Sequence, residues 1–173
     1  MVNYRRMKLK STDAVYFLTM ATENRKPWFH PEQNIFIVQQ TMRRIKDRFD
    51  LCYEAWPILP EHIHWLISPN RADYSKVVFA FKRGIGAEFK KRGQLQDGEK
   101  IWQARFWEHT IRDDEDYQRC VEYIHYNPVK HALVDSPFKW PYTSFHEFVA
   151  GGIYPSDWAE GSEIVIDGAE YDR

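Results

Sequence analysis

The sequence predicts an α+β domain in which helices pack on one antiparallel β-sheet. Three observations carry this. Strand-like and helix-like stretches follow one another as strand–helix–strand–strand–helix–strand, with a further helix behind. The first two helical stretches repeat apolar residues every three or four positions, which gives each a single core face. The second and third strands are joined only by the tight link Leu59-Pro60-Glu61, so they are expected to form a hairpin.

Each element has its own signal. Ala14–Thr22 is rich in Val, Tyr, Phe and Leu and reads as the first strand. Pro31-Glu32 opens a helix, because proline fits the first helical turn. In it Ile35, Val38, Met42, Ile45 and Phe49 line one face. Cys52–Leu59 and His62–Ser68 are the expected second and third strands, and Ser68-Pro69-Asn70 a turn. Tyr74–Arg92 reads as the second helix, with Val77, Val78, Phe81, Ile85 and Phe89 inward. Gly84 and Gly86 each weaken its middle by roughly 1 kcal/mol relative to alanine. Gly84-Ile85-Gly86 lacks a third glycine and a preceding strand, which excludes a phosphate-binding loop. Ile101–Ile111 is expected as a fourth strand or an irregular strand-like segment, with Arg105, Trp107 and His109 on one face. Asp113–Asn127 is the third helix, its acid-rich first turn suited to the helix dipole and its end set by Pro128. His131–Val134 is expected to add a short strand, and the remainder to be irregular.

Length and charge bound the function. At 173 residues the chain makes one domain, expected over residues 1–156, followed by an acidic, flexible tail over 157–173. The net charge of -1 hides an asymmetry. The tail from Asp157 holds six acids against Arg173 alone, which leaves the body net basic. Its bases cluster at Arg5, Arg6, Lys8 and Lys10, at Arg43, Arg44, Lys46 and Arg48, and at Lys82, Arg83, Lys90, Lys91 and Arg92, as contacts to a phosphate backbone would. Two isolated cysteines, Cys52 and Cys120, exclude a disulfide framework and a cysteine zinc site. No stretch reads as a signal peptide or membrane span, so a cytoplasmic protein with no membrane partner is expected.

The chemistry gathers at two stretches. In Pro60-Glu61-His62-Ile63-His64-Trp65, strand alternation sends His62 and His64 to one face and Ile63, Trp65 and Ile67 to the other. Two imidazoles on one rigid element are half a divalent-metal site. In Val121-Glu122-Tyr123-Ile124-His125-Tyr126-Asn127-Pro128, Tyr123 and Asn127 lie four apart on one helix face. They offer a phenol nucleophile and an amide oxygen as third ligand. A phenol titrates near about 10, so attack needs a nearby base or a cation that stabilises phenolate. If this helix crosses the strand, His62, His64, Asn127 and Tyr123 share one site. Tyr126 and Tyr117 are competing nucleophiles, but Lys130 and Val121 stand four residues after them, where Tyr123 has Asn127.

These stretches resemble the single-tyrosine HUH transposases of the IS200/IS605 type, and within them the REP-associated branch. The resemblance is carried by Tyr4-Arg5-Arg6, Leu59-Pro60-Glu61-His62-Ile63-His64-Trp65, Ile101-Trp102-Gln103-Ala104-Arg105-Phe106-Trp107-Glu108-His109, Tyr123-Ile124-His125-Tyr126-Asn127-Pro128-Val129-Lys130-His131 and Trp140-Pro141-Tyr142-Thr143-Ser144-Phe145-His146. It implies the ferredoxin-like HUH endonuclease fold and a metal-dependent nuclease and strand transferase acting on single-stranded DNA at hairpin-forming repeats. In that implied mechanism His62, His64 and Asn127 hold Mg²⁺ or Mn²⁺, and Tyr123 forms a 5′-phosphotyrosine. With one nucleophile per chain, a monomer would need two successive events and a homodimer could cut twice. Arg5, Arg6, Lys8, Lys82, Arg83, Arg105 and Trp107 are the expected DNA contacts, since unstacked bases stack on aromatics and guanidinium planes. Two other classes fit the residues: a DNA- or RNA-hairpin-binding protein without catalysis, and a metal-dependent hydrolase that uses water.

Overall fold

The computed structural model describes residues 14–70 and 72–161. The strands are β1 (Tyr16–Ala21), β2 (Leu51–Ala55), β3 (His62–Pro69) and β4 (Trp107–Thr110), and the helices α1 (Glu32–Phe49), α2 (Tyr74–Lys91), α3 (Asp114–Lys130) and α4 (Phe145–Ala150). The sheet order is β2-β3-β1-β4 with every neighbouring pair antiparallel. The α+β expectation therefore stands, and the interleaving of two split βαβ units makes it ferredoxin-like.

Strand alternation sorts the two faces. Leu18, Met20, Ile63, Trp65 and Ile67 meet Ile35, Val38, Met42 and Ile45 of α1 and Val77, Phe81, Ile85 and Phe89 of α2 in one core. Phe17 and Leu66 meet Tyr117, Cys120, Val121 and Ile124 of α3 on the other face. Burial on both faces explains why β3 is buried along its whole length. Gly84 serves the first core: a β-carbon there would stand 3.1 Å from the Thr41 methyl, so its absence lets α1 and α2 approach closely.

Several boundaries differ from those the sequence suggests. β2 stops at Ala55, which still pairs with Leu66 after a register shift against β3 between Tyr53 and Ala55. Beyond it, Trp56 is clamped instead by Ser144, which donates its N–H to the Trp56 carbonyl at 2.8 Å and accepts the Trp56 N–H on its hydroxyl at 2.9 Å. Of residues 101–111, expected as a strand or an irregular strand-like segment, only Trp107–Thr110 are regular strand, so Arg105 lies outside β4 and shares no strand face with Trp107 and His109.

Helix α3 does not end at the proline. It runs through Pro128 to Lys130 and stops where Ala132 turns left-handed at φ 54. There Ala132 N–H bonds the Val129 carbonyl at 2.9 Å and Leu133 N–H bonds the Pro128 carbonyl at 3.0 Å, the paired closure of a Schellman stop. Residues 131–134 are this turn and not a strand. Packing also continues past residue 156, since Trp158 stacks on Tyr154 and Phe145 over the second core.

Candidate active site

His62 and His64 stand on the α3 side of the central strand with ring centroids 4.7 Å apart. Both are fully buried, and each has its Nδ1 held by the fold. Glu61 Oε1 lies 3.0 Å from His62 Nδ1, so that nitrogen donates to the carboxylate. The antiparallel register sets Thr19 opposite His64, and its hydroxyl meets His64 Nδ1 at 2.9 Å. With its proton on Nδ1, His62 turns its Nε2 lone pair toward Asn127, as metal-binding histidines do, and the Thr19 hydroxyl can accept from the same tautomer of His64. The His62 hydrogen bond is the largest influence holding the Glu61 carboxyl below its usual range. Burial, then the neighbouring His62, His131 and Lys130, push His64 well below ordinary histidine, so it is neutral. A neutral imidazole is the ligand form.

Helix α3 supplies the opposing residues. Asn127 Oδ1 lies 3.1 Å from His62 Nε2, while its Nδ2 is buried without a hydrogen-bond partner among the described residues. The amide oxygen thus faces His62 Nε2 while its donor has no partner among the described residues, an arrangement that fits a cation ligand better than an internal hydrogen bond. One turn earlier, the Tyr123 ring stands edge-on to His64 at 5.4 Å and to Phe17 at 5.9 Å. Lys130 Nζ donates to the Tyr123 hydroxyl at 3.2 Å and lies 4.7 Å from the ring centroid. The His131 ring is 4.8 Å from that of His62. The two stretches singled out in the sequence therefore meet, and His62, His64, Asn127 and Tyr123 form one cluster. The two nitrogens and one amide oxygen suit a divalent cation of borderline or hard character.

The competing tyrosines are placed otherwise. The Tyr117 hydroxyl donates to Glu54 Oε2 at 3.2 Å, and burial together with that carboxylate drives its ionisation upward. Tyr126 is half-buried and packs against the second core.

The expected DNA contacts divide in the same way. Arg83 and Arg105 are exposed. Lys82 is half-buried, donating to the carbonyls of Gln103 at 3.0 Å and Arg105 at 3.3 Å, and burial lowers its ammonium to about 8. That geometry makes it a clamp on the loop before β4. Trp107 packs edge-on against Phe17 and stacks on His109. Arg5, Arg6 and Lys8 lie outside the described residues, as does the tail beyond residue 161.

Sequence reading missed Glu61, Thr19 and Lys130 as members of this site. It also missed a second cluster, in which ligand atoms of His109, Asp116 and Cys120 lie within 4.8 Å of one another. Here Asp116 accepts from His109 Nε2 at 2.8 Å and from Arg112 N and Nε at 3.0 and 3.1 Å, with Arg119 3.6 Å away. Burial alone would raise this carboxyl, but Arg112 and His109 outweigh it and hold it at about 2. Two guanidinium groups already balance the carboxylate, so the cluster is an ion-pair network at the start of α3.

Residues 10–127 match the family described as "Transposase IS200 like". The chain belongs to this transposase family. Within it, the chain is 37% identical over 162 residues to the REP-associated tyrosine transposase of Escherichia coli K12, covering 92% of each chain. It therefore sits with the REP-associated tyrosine transposases, a group of enzymes. The structure superposes with a TM-score of 0.75 on a REP-associated tyrosine transposase solved bound to a REP hairpin, at 32% identity and 96% coverage of both chains. A crystal structure from Deinococcus radiodurans r1 shares the fold at 20% identity and a TM-score of 0.51, covering 64% of this chain and 88% of its own. Among the described residues of this IS200-like transposase, no helix is long and apolar enough to cross a membrane.

Proposed function

We propose that this transposase is a metal-dependent, single-strand DNA endonuclease and strand transferase that works at hairpin-forming repeats through a covalent 5′-phosphotyrosine. The observation that carries the reading is the meeting of one strand and one helix. His62 and His64 of β3 face Asn127 and Tyr123 of α3, with His62 Nε2 and Asn127 Oδ1 3.1 Å apart. The hairpin partner is suggested by the relative solved with a REP hairpin. Such a protein works where the chromosome is, in the cytoplasm, as a monomer or a homodimer.

His62, His64 and Asn127 would hold Mg²⁺ or Mn²⁺, which when bound draws charge from the scissile phosphate. The chain's own residues do the rest. Glu61 and Thr19 fix the imidazoles in the tautomer that presents Nε2. Tyr123 attacks phosphorus, the P–O3′ bond breaks, and the tyrosine carries the 5′-phosphate while a 3′-hydroxyl is released. The phosphate ester is conserved in the phosphotyrosine, so a 3′-hydroxyl can attack it in reverse and rejoin strands. Arg83 and Arg105, together with Arg5, Arg6 and Lys8 of the basic arm, would contact phosphates. In this reading Lys82 contributes by holding the Arg105 loop, and Trp107 by presenting an aromatic face.

The test is covalent capture. Single-stranded oligonucleotides with hairpins and flanking sequence are incubated with protein and Mn²⁺, and a denaturation-resistant protein–DNA adduct is sought. The expected result is an adduct that Tyr123→Phe abolishes and that His62→Ala or His64→Ala reduces at least about 100-fold, the scale of losing metal-assisted charge stabilisation. Cleavage without adduct would replace this reading by a water-using hydrolase. Hairpin binding with neither product would leave only a binding protein.

A further inference from the structure

Tyr123, Asn127 and Lys130 stand at positions i, i+4 and i+7 of α3. At about 3.6 residues per turn these fall on one narrow stripe. The stripe exists only because α3 continues through Pro128 for its last turn. A helix broken at the proline would carry Lys130 elsewhere. In the folded chain the Lys130 ammonium donates to the Tyr123 hydroxyl at 3.2 Å, and the same nitrogen lies 4.7 Å from the phenol ring centroid. One cation thus addresses both the oxygen that would bond to phosphorus and the ring over which phenolate charge spreads.

We propose that Lys130 is a catalytic residue of this transposase, one that stabilises the negative charge of the Tyr123 oxygen during strand cleavage and rejoining. This rests on Tyr123 being the nucleophile. In cleavage the phenolic oxygen bonds to phosphorus, the P–O3′ bond breaks, the phenolic proton leaves to solvent, and the departing 3′-oxygen takes a proton from solvent. In rejoining, the 3′-hydroxyl bonds to phosphorus and loses its proton to solvent. The phenolate departs and is protonated from solvent. Lys130 keeps its own protons throughout and donates a hydrogen bond to the phenolic oxygen in both directions. Nothing is oxidised or reduced. A phenol ionises near about 10, so at neutral pH a fixed ammonium lowers the barrier by favouring the charge that develops. The residue also suits its position, since a cation is favourable at a helix C-terminus.

The experiment is single-turnover adduct formation with saturating hairpin oligonucleotide and Mn²⁺, followed by reversal of the isolated adduct with a strand bearing a 3′-hydroxyl. Lys130→Met keeps the aliphatic stem against the ring and removes the charge. Lys130→Arg restores a cation that can donate. Lys130→Met is expected to slow both formation and reversal by about 10- to 1,000-fold, the usual scale for one charge-stabilising donor. Lys130→Arg should recover most of that loss. A merely structural role would be rescued equally by Met and Arg, and a role in DNA binding would disappear at saturation. Lys130 is exposed, and its variants are expected to melt with the parent. Two results separate the failures. If Tyr123→Phe abolishes the adduct while Lys130→Met forms and reverses it at the parental rate, the assignment of Lys130 is overturned and the nucleophile stands. If the adduct persists in Tyr123→Phe, the nucleophile is wrong and Lys130 falls with it.

Discussion

Glu61 and Thr19 show how much of this site lies one layer behind the two central histidines. Each touches a histidine on Nδ1, one from the preceding residue and one across the strand pair. Their contribution is to hold a tautomer and a ring angle. Removing such a partner usually weakens metal binding by about 10- to 100-fold. Glu61→Ala is accordingly expected to raise the Mn²⁺ dissociation constant by that factor without disturbing the fold. Titration of apo protein followed by the loss of free Mn²⁺ resonance signal checks it. Equal affinities in parent and variant would mean that the carboxylate is a surface feature only. The visibility of these residues in the sequence differs for a physical reason. His62, His64, Tyr123 and Asn127 announce themselves through spacings of two and four, the repeats of strand and helix. Thr19 becomes a partner of His64 only through the β1–β3 register, which no local pattern states.

At the scale of the element, α2 offers a clean comparison between two glycines. Among the described residues, Gly86 has nothing within 4 Å of where a β-carbon would stand, whereas at Gly84 that atom would meet the Thr41 methyl at 3.1 Å. Gly86→Ala should therefore gain most of the helix-propensity difference, about 0.5–1 kcal/mol. Gly84→Ala should gain less or lose stability by pushing α1 from α2. Urea midpoints of the two variants decide this, and a larger gain at Gly84 would contradict the packing. The elements also mark where sequence reading stopped. The order of strands and helices was legible because periodicity and turn residues agree over long stretches. The end of α3 was not, since the evident stop signal, Pro128, is overridden and the real stop uses Ala132 in a left-handed conformation that glycine normally takes. Lys130 joined the site through that difference of three residues. The segment before β4 keeps the irregular, strand-like character that its sequence allows: Trp102 bridges Thr22 once, and Ile101 and Trp102 pack against the first core.

Across the whole molecule the sheet divides labour between its faces. α1 and α2 bury one face in an apolar core, while α3 lies across the other with buried polar residues between. His125 is the structural member of that second layer. It is fully buried two residues from both Tyr123 and Asn127, and its Nε2 meets the Ser144 hydroxyl at 2.9 Å. Through Ser144 it is tied to the Trp56 backbone, so one network joins α3, the chain after β2 and the start of α4. Burial lowers His125 to about 3 and holds His64 well below its ordinary value. The sign of the consequence follows from proton counting. Below about 6.5 the unfolded chain takes up protons on these two histidines that the folded chain does not. Stability therefore rises with pH through this window and falls as the solution is acidified toward 3. Asp116, held at about 2, adds a loss of the same sign below its ordinary range of about 3.9. Each neutral buried histidine contributes a slope of up to about 1.4 kcal/mol per pH unit. In metal-free protein, denaturant midpoints measured from pH 7.5 to 4.5 should fall steadily. In His125→Gln, where an amide can still reach Ser144, that slope should drop by about half. An unchanged slope in the variant would show that His125 is charged in the folded state, and the neutral Ser144–His125 joint would have to be abandoned.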